Sequence, residues 1–382
     1  MKITIAANSR FWLFDLAKFL NEKKHLDKLI TTYPKFKTRE WGIPDNRVIS
    51  FFFLEILSRI SKYFPHPIYK FLQQFEHYLF DLLTSIFLNL KTEIFHGLSS
   101  SSLITIKKAK RNKIISILAR GSTHVLFQDK LLDREYSLLK IYRKDRSFFI
   151  NKELKEYHLT DYVSIPSKFV KNTFLNYKFN EKKLLVNPFG VDTQLFKPLK
   201  KVDRKFRIIF SGTLCVRKGS HYLLKAINEL SIKDYEFIHV GTIDSDFKIL
   251  LNNFNLNNIR FIGHVDQKKL NKYYSQSSIF VFPSLEEGLA NVILQAMSCG
   301  LPVICTPNSG GENLIKNKVE GYIVPPRNHK ILKNKIEYLY YHPDIRKKMS
   351  KAARKKIVSN FSWNHYGTRF INDCQNIINS KL

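Results

Sequence analysis

The run from Ile279 to Gly300 reads Ile-Phe-Val-Phe-Pro-Ser-Leu-Glu-Glu-Gly-Leu-Ala-Asn-Val-Ile-Leu-Gln-Ala-Met-Ser-Cys-Gly, and it constrains the fold more than any other stretch. Four consecutive apolar residues, Ile279 to Phe282, suit a strand covered on both faces, and Pro283 and Ser284 end its ladder. A helix is predicted to open at Gly288 and close at Gly300, because Leu301 and Pro302 bar its continuation. Within that helix Gly288, Asn291 and Gln295 share one polar face, while Ile293, Ala296 and Met297 turn towards the core. The first amides of such a helix have no partners inside it. An anion is therefore expected over Gly288, Leu289 and Ala290.

Strand-like runs alternate with helical periods along the whole chain, the pattern of parallel sheets with helices on both faces. The first series has strands at Ile3 to Ala7, Lys28 to Thr31, Glu93 to His96, Ile114 to Leu118, Val163 to Ile165 and Leu184 to Val186. A turn at Pro188 to Asp192 and a charged linker, Lys197 to Lys205, precede a second series. Its strands are Arg207 to Phe210, Phe237 to Val240, Ile259 to Ile262, Ile279 to Phe282, Val303 to Thr306 and Gly321 to Val324. The expected division is 1–195 for one α/β domain, 196–360 for another, and 361–382 for a last helix. In open parallel sheets ligands sit beyond the carboxyl ends of the strands, so the residues just after each strand are the candidates.

Those positions carry polar groups. Ser211 to Ser220 follows a strong strand and includes Gly212, Arg217 and Lys218, two adjacent cations suited to a pyrophosphate. Arg120, Ser122 and His124 stand just past the strand Ile114 to Leu118, where an arginine, a hydroxyl and an imidazole could hold a sugar or an acceptor. His96 and Arg10 follow two other strands. Asp244 and Asp246 form an Asp-x-Asp, but in a segment where aspartate and serine are usual turn formers, so no metal site is expected.

Glu287-Gly288, then Gln295 with seven residues between it and Glu287, then Ala296-Met297-Ser298-Cys299-Gly300-Leu301-Pro302-Val303, resembles the donor-site signature of the retaining glycosyltransferases of family 4. The resemblance implies the GT-B architecture, two facing Rossmann-like doubly wound domains with a cleft between them. In that family two glutamates flank the seven-residue gap, the first on the donor sugar and the second on the nucleotide ribose. This chain keeps the first as Glu287 and has Gln295 in the second place, which can still hydrogen-bond a diol but brings no charge. Lys218-Gly219 matches the end of the family's basic loop, and Thr213 stands where an arginine is common. Gly263, His264 and Val265 resemble the segment that reads the nucleotide base, and Thr306 to Glu312 a further loop near the donor. Phe361-Ser362-Trp363 is similar to the start of the family's last helix, which crosses back to the first domain.

The resemblance thus implies a metal-independent transferase with no cofactor, moving a hexose from a nucleoside diphosphate sugar to a glycan or lipid-linked acceptor with retention, as in cell-surface polysaccharide or lipopolysaccharide synthesis. Glu287 would orient the sugar; Arg217, Lys218 and the helix amides would stabilise the diphosphate. Two rivals stay open, a GT-B nucleotide-sugar epimerase and a non-catalytic sugar or nucleic-acid binding protein. A nicotinamide enzyme finds no Gly-x-Gly-x-x-Gly.

Net charge is +31, and 17 of the excess positive charges fall in residues 1–200 against 14 beyond. So even a spread argues for whole-surface attraction to something anionic rather than a basic tail. Nucleic acid is the less favoured partner, since zinc-finger spacing, a recognition-helix pattern and Arg-Gly runs are all lacking. Four scattered cysteines suggest a reduced, intracellular protein. The amino terminus shows no signal-peptide core, and no window reaches a spanning length. The expectation is a cytoplasmic protein held reversibly on the inner face of an anionic membrane. One segment bears on this: Phe75, Tyr78, Leu79, Leu82, Leu83, Ile86, Phe87 and Leu90 form a clean helical stripe. It is expected to be buried in the core; exposed, it would add apolar insertion.

Overall fold

The computed structural model describes residues 1–143 and 145–380. Two all-parallel sheets organise it. The first contains β1 (Ile3–Ala7), β2 (Leu26–Thr31), β3 (Val48–Ser50), β4 (Ile94–Leu98), β5 (Ile115–Ala119), β6 (Tyr162–Ile165) and β7 (Leu184–Val186), in the order β3-β2-β1-β4-β5-β6-β7. The second contains β8 (Phe206–Ser211), β9 (Tyr235–Val240), β10 (Ile259–Gly263), β11 (Ile279–Phe282), β12 (Val303–Cys305) and β13 (Gly321–Ile323), in the order β10-β9-β8-β11-β12-β13. Each sheet reverses its winding once, between β1 and β4 and between β8 and β11. Those two switch points leave crevices at the carboxyl edges, where ligands enter such folds.

The central strands are buried throughout, as strands flanked by helices on both faces must be: β1, β4, β5 and β11 have no exposed residue. Phe210, Phe280 and Phe282 stack as nearly parallel rings with centroids 5.4 and 5.9 Å apart, which ties β8 to β11 directly beneath the second switch point. The Trp363–Asn379 helix opens on a capping box formed by Ser362 and His365. It then lies against the Trp12–Glu22 helix so closely that a Cβ on Gly367 would fall 2.1 Å from the Phe19 ring.

Three expectations are corrected. The short strand β3 went unread, because three residues between two turns offer no alternation to detect. The helix expected to open at Gly288 opens at Asn291 and runs Asn291–Ser298, since Gly288 to Ala290 form a non-helical loop held by bonds described below.

The third correction is the largest. Most of the stripe from Phe75 to Leu90 faces away from the core. On the His66–Phe87 helix the buried positions are Glu76, Phe80, Asp81, Thr84 and Ser85; of the stripe, Leu79, Leu82 and Leu83 are half-buried, with Leu79 and Leu83 against the core, whereas Phe75, Tyr78, Ile86, Phe87 and Leu90 are exposed. Asp81 supplies the reason. Its carboxylate accepts from the amides of Ile104 (2.9 Å) and Thr105 (3.0 Å), at the start of the Leu103–Arg111 helix, and from the Thr105 hydroxyl (2.9 Å), with Lys152 Nζ at 3.4 Å. A carboxylate on a helix amino terminus is favoured by both the free amides and the dipole, and this one fixes which side of its own helix faces inward.

Candidate active site

The second-domain wall of the cleft is built from two loops. One runs from Gly212 to Gly219 beyond β8. Gly212 has φ +126°, donates to Val240 O (2.8 Å) and accepts from His239 Nε2 (2.9 Å), so the loop lies flat along the end of β9. Gly219 has φ +62° and passes so near Pro283 that a Cβ would sit 2.2 Å from its carbonyl oxygen, leaving room only for glycine.

The second loop runs from Ser284 to Ala290 beyond β11 and is stitched to Thr306–Ser309. The Thr306 hydroxyl donates to Ser284 O, Asn308 Nδ2 to Leu285 O (2.8 Å), Glu287 N to Asn308 O (2.9 Å) and Ala290 N to Ser309 O (3.1 Å). Of the three amides expected to take an anion, those of Gly288, Leu289 and Ala290, these bonds consume that of Ala290. Gly288 is pressed against the first domain, where a Cβ would lie 2.0 Å from Gly121 O. Asn291 begins the helix, with its Oδ1 buried and unpartnered among the described residues.

Arg217 joins the two loops. Its carbonyl accepts from Leu285 N (3.0 Å), and its Nη1 lies 3.0 Å from Glu286 O, 3.4 Å from Glu286 Oε2 and 3.0 Å from Glu287 Oε1. Burial opposes its charge, but Glu287 and Glu286 outweigh that and keep the guanidinium protonated. The two adjacent cations therefore divide in role. Arg217 is a clamp with two carboxylates already on it. Lys218 finds, as ionic partner among the described residues, only Glu287 Oε1 at 4.0 Å, and its ammonium stands 5.7 Å from the Phe282 ring centroid. A Cβ on Gly212 would be 2.6 Å from Lys218 Nζ, so the glycine clears the space that the ammonium uses.

Glu286, which the sequence reading passed over, is fully buried and reaches across the cleft. Its Oε1 accepts from Ser122 Oγ (2.5 Å), Thr123 N (3.1 Å) and Thr123 Oγ1 (2.7 Å); its Oε2 accepts from Gln128 Nε2 (2.8 Å). Burial alone would raise its carboxyl, yet Arg217 and the donors from Ser122, Gln128 and Thr123 bring it down to about 2. Glu135 of the Val125–Leu138 helix makes the reciprocal contact. It accepts from His221 Nε2 (3.0 Å), the Tyr222 hydroxyl (2.7 Å) and Arg327 Nε (2.7 Å), all in the second domain, and despite burial these bonds lower it to about 2. The only sequence signal for Glu286 was the Glu-Glu doublet; for Glu135 there was none.

The first-domain residues are consumed by structure. Arg120 Nη1 pairs with Glu153 Oε2 at 2.7 Å, and Nε donates to Thr123 O (3.0 Å), shaping the loop that presents Ser122 and Thr123 to Glu286. The expectation of a cleft imidazole at His124 is corrected. Its Nδ1 accepts from Leu126 N (3.3 Å) as a helix cap, and its ring stacks on Tyr177 at 4.4 Å beside Phe174 and Tyr157. Burial, then Arg120, push it down to about 4. His96 is likewise corrected: it is wholly buried, donates from Nδ1 to Ile117 O (3.0 Å), packs on Phe370 at 4.7 Å, and is lowered by burial to about 4. Arg10 is exposed, with its guanidinium 5.0 Å over Trp41.

Gln295 is buried with its Oε1 accepting from the Tyr274 hydroxyl (3.3 Å). Gly263 has φ +79° with open space at its Cβ position, His264 beyond it is exposed, and Val265 is half-buried. Asp244 caps the Ser245–Leu251 helix, its side chain accepting from Asp246 N (3.3 Å), as a turn former does.

Residues 191–356 match the family described as glycosyl transferases group 1. An uncharacterized glycosyltransferase of Methanocaldococcus jannaschii is 25% identical over 288 residues, covering 72% of this chain and 70% of that protein. The capsular polysaccharide biosynthesis glycosyltransferase CapM of Staphylococcus aureus is 28% identical over 172 residues, 43% of this chain and 44% of that protein. Among solved structures, sucrose-phosphate synthase from Thermosynechococcus elongatus is similar with a TM-score of 0.72 at 17% identity, covering 100% of both chains. HepE of Anabaena in complex with UDP gives 0.71 at 14% identity, covering 98% of this chain and 100% of that one. The two structures share the two-sheet fold. The match over the second domain, together with the glycosyltransferase relatives, supports a glycosyltransferase of GT-B fold.

Proposed function

We propose that the protein transfers a hexose, with retention and without a metal, from a nucleoside diphosphate sugar to a glycan or lipid-linked acceptor, in the synthesis of a cell-surface polysaccharide. The observation that carries the reading is the meeting of Lys218 and Glu287 at the second switch point, with Glu287 held by the Arg217 clamp and Lys218 left, among the described residues, with a single distant carboxylate. A cation with little to neutralise it can offset the charge that grows on a departing diphosphate, and a fixed carboxylate beside it can take the hydroxyls of the sugar. Gln295 then faces the ribose, and Gly263 to Val265 the base.

The complex of HepE with UDP and glucose, and that of TarM of S. aureus with UDP, a further similar structure with a TM-score of 0.69 at 12% identity, support a uridine nucleotide as the first donor to try. The relation to CapM supports a polysaccharide acceptor. In this reading the donor lies on the 196–360 side and the acceptor on the 1–195 side, and the departing phosphate helps take the acceptor's proton. The same reading places the protein on the cytoplasmic face of an anionic membrane, held by its net charge of +31. No helix among the described residues is long and apolar enough to cross a membrane.

A thermal-shift panel of nucleoside diphosphate sugars, followed by product analysis with excess chelator, tests it. A stabilising donor and a product of retained anomeric configuration are expected. Binding without turnover on any acceptor, an epimerised nucleotide sugar, or inhibition by chelator that metal reverses would each overturn a part of it.

A further inference from the structure

We propose that the outward apolar face of the Phe52–Ser61 and His66–Phe87 helices inserts into the surface of an anionic lipid bilayer and holds the rim of the cleft against it. This rests on the membrane location read above and goes beyond it, adding an apolar attachment on a defined face to one made by charge alone.

Thirteen of the 25 exposed large hydrophobic residues among the described ones fall between Phe52 and Leu90. Tyr63, at the turn between the two helices, is 90% exposed, Phe71 is 65% and Phe53 54%. So dense a patch is rare on a protein surface with nothing to cover it. Nor can the helix roll to hide it. Turning Asp81 outward would strip the amides of Ile104 and Thr105 of their acceptor and leave Lys152 without its carboxylate. The side that carries Asp81, with Phe80, Leu79 and Leu83 beside it, is held against the protein, so the remaining apolar side is left outside.

Charge identifies the occupant. Lys62 precedes Tyr63, and Lys107, Lys110, Arg111 and Lys113 are exposed on and just beyond the Leu103–Arg111 helix. That helix is tied beside the carboxyl end of the apolar face by Lys108 Nζ, which donates to Ser85 O (2.6 Å) and Ile86 O (3.3 Å). A second copy of this chain would bring +31 against +31, whereas an anionic bilayer offers both an apolar interior and opposite charge. An amphipathic helix with a cationic edge has the two signals that stable interfacial binding needs.

The face also connects with the cleft. His77, on the same helix, meets Ser100 O (3.2 Å) and Ser101 Oγ (2.9 Å) through Nδ1, and the neighbouring Ser99 hydroxyl lies 3.4 Å from Arg120 Nη1. The loop beyond β4 thus bridges the inserted face and the first-domain wall, and an acceptor carried on a lipid would arrive at that rim.

The test uses the whole chain and vesicles of phosphatidylcholine, with or without phosphatidylglycerol. Binding to the anionic vesicles at low salt is expected, with a part that survives about 0.5 M salt, where charge attraction is screened. Phe71→Ser with Phe75→Ser, and separately Tyr63→Ser with Phe64→Ser, should each lower that salt-resistant affinity about tenfold or more, since each removes apolar area from the bilayer. Unchanged circular dichroism would show that folding is kept. In a Phe71→Trp variant the added fluorescence should be quenched by brominated lipid. Binding wholly released by salt, unaffected by the serine variants and without quenching would overturn insertion while leaving the charge-driven location standing. No binding at low salt would overturn both. Loss of a dimer in the serine variants without lipid would assign the face to a second copy and overturn the proposal.

Discussion

On the first-domain wall of the cleft, Arg120 is paired with Glu153, His124 caps a helix inside an aromatic cluster, and Ser122 is bonded to Glu286. On the second-domain wall, Arg217 is bound by two carboxylates, but Lys218 has, among the described residues, one ionic partner at the limit of contact and Glu287 is only partly buried. Both walls offer cations and hydrogen-bonding groups beyond strand ends. They differ in how many of those groups the protein itself consumes. A side chain whose donors are already satisfied must break a bond to serve a ligand, and one held in place with capacity to spare need not. Position after a strand therefore nominates candidates, and partner inventory separates them.

The largest effect should come from the residue that joins the walls. Glu286→Ala leaves Arg217 with one carboxylate and strips the acceptor from Ser122, Thr123 and Gln128, and breaking a buried pair of this kind costs about 3–5 kcal/mol. A chemical denaturation series should read that loss, and solution scattering should show the domains parting. The same group sets an acid limit. A carboxyl lowered from the ordinary 4.5 to about 2 on folding contributes stability that is complete above pH 4.5 and lost as pH falls towards 2, because the unfolded state takes up the proton first. Glu135 acts in the same window. Glu286→Gln should flatten the fall in melting temperature there; an unchanged slope would mean that Glu286 does not hold the domains together.

Next in size, Lys218→Ala should lower turnover about a hundredfold or more while leaving the melting temperature nearly unchanged, as removal of one preorganised charge at a leaving group does. Arg217→Ala should instead lose stability as well as activity, since Glu286 would stay buried without its cation. Equal melting temperatures in the two variants would erase the division between clamp and free cation.

The smallest effect belongs to His124→Phe. The ring keeps its place against Tyr177 and loses only the bond from Leu126 N, worth about 1 kcal/mol at a helix cap. Transfer rates should stay within about twofold of the parent and show no loss of a group titrating near neutrality. A collapse of turnover on the scale of Lys218→Ala would return the imidazole to the chemistry.

How much of this was legible follows from where the determining contacts lie. The strands of both sheets except β3 could be read because runs such as Ile279 to Phe282 are apolar without interruption, and Ile3 to Ala7 is broken only by Thr4. The loops of the second wall were legible because glycines and charges sit at fixed distances after those strands. The orientation of the His66–Phe87 helix was not, although its periodicity was the cleanest in the chain. A stripe gives the side that avoids water in isolation, while Asp81 answers to the amides of Ile104 and Thr105, 23 and 24 residues further on. Glu286 escaped for the same reason, since its first-domain donors stand 158 to 164 residues away and only the folded cleft gathers them.

The most direct test is calorimetric titration of Glu287→Gln with a nucleoside diphosphate and with its sugar-bearing form. If the second wall divides its work as described, the diphosphate still binds nearly as it does to the parent, since Lys218 remains and Arg217 keeps Glu286. The sugar nucleotide binds more weakly, and transfer falls strongly. Equal loss of affinity for both ligands would place Glu287 on the phosphates or in the fold, and would contradict the account.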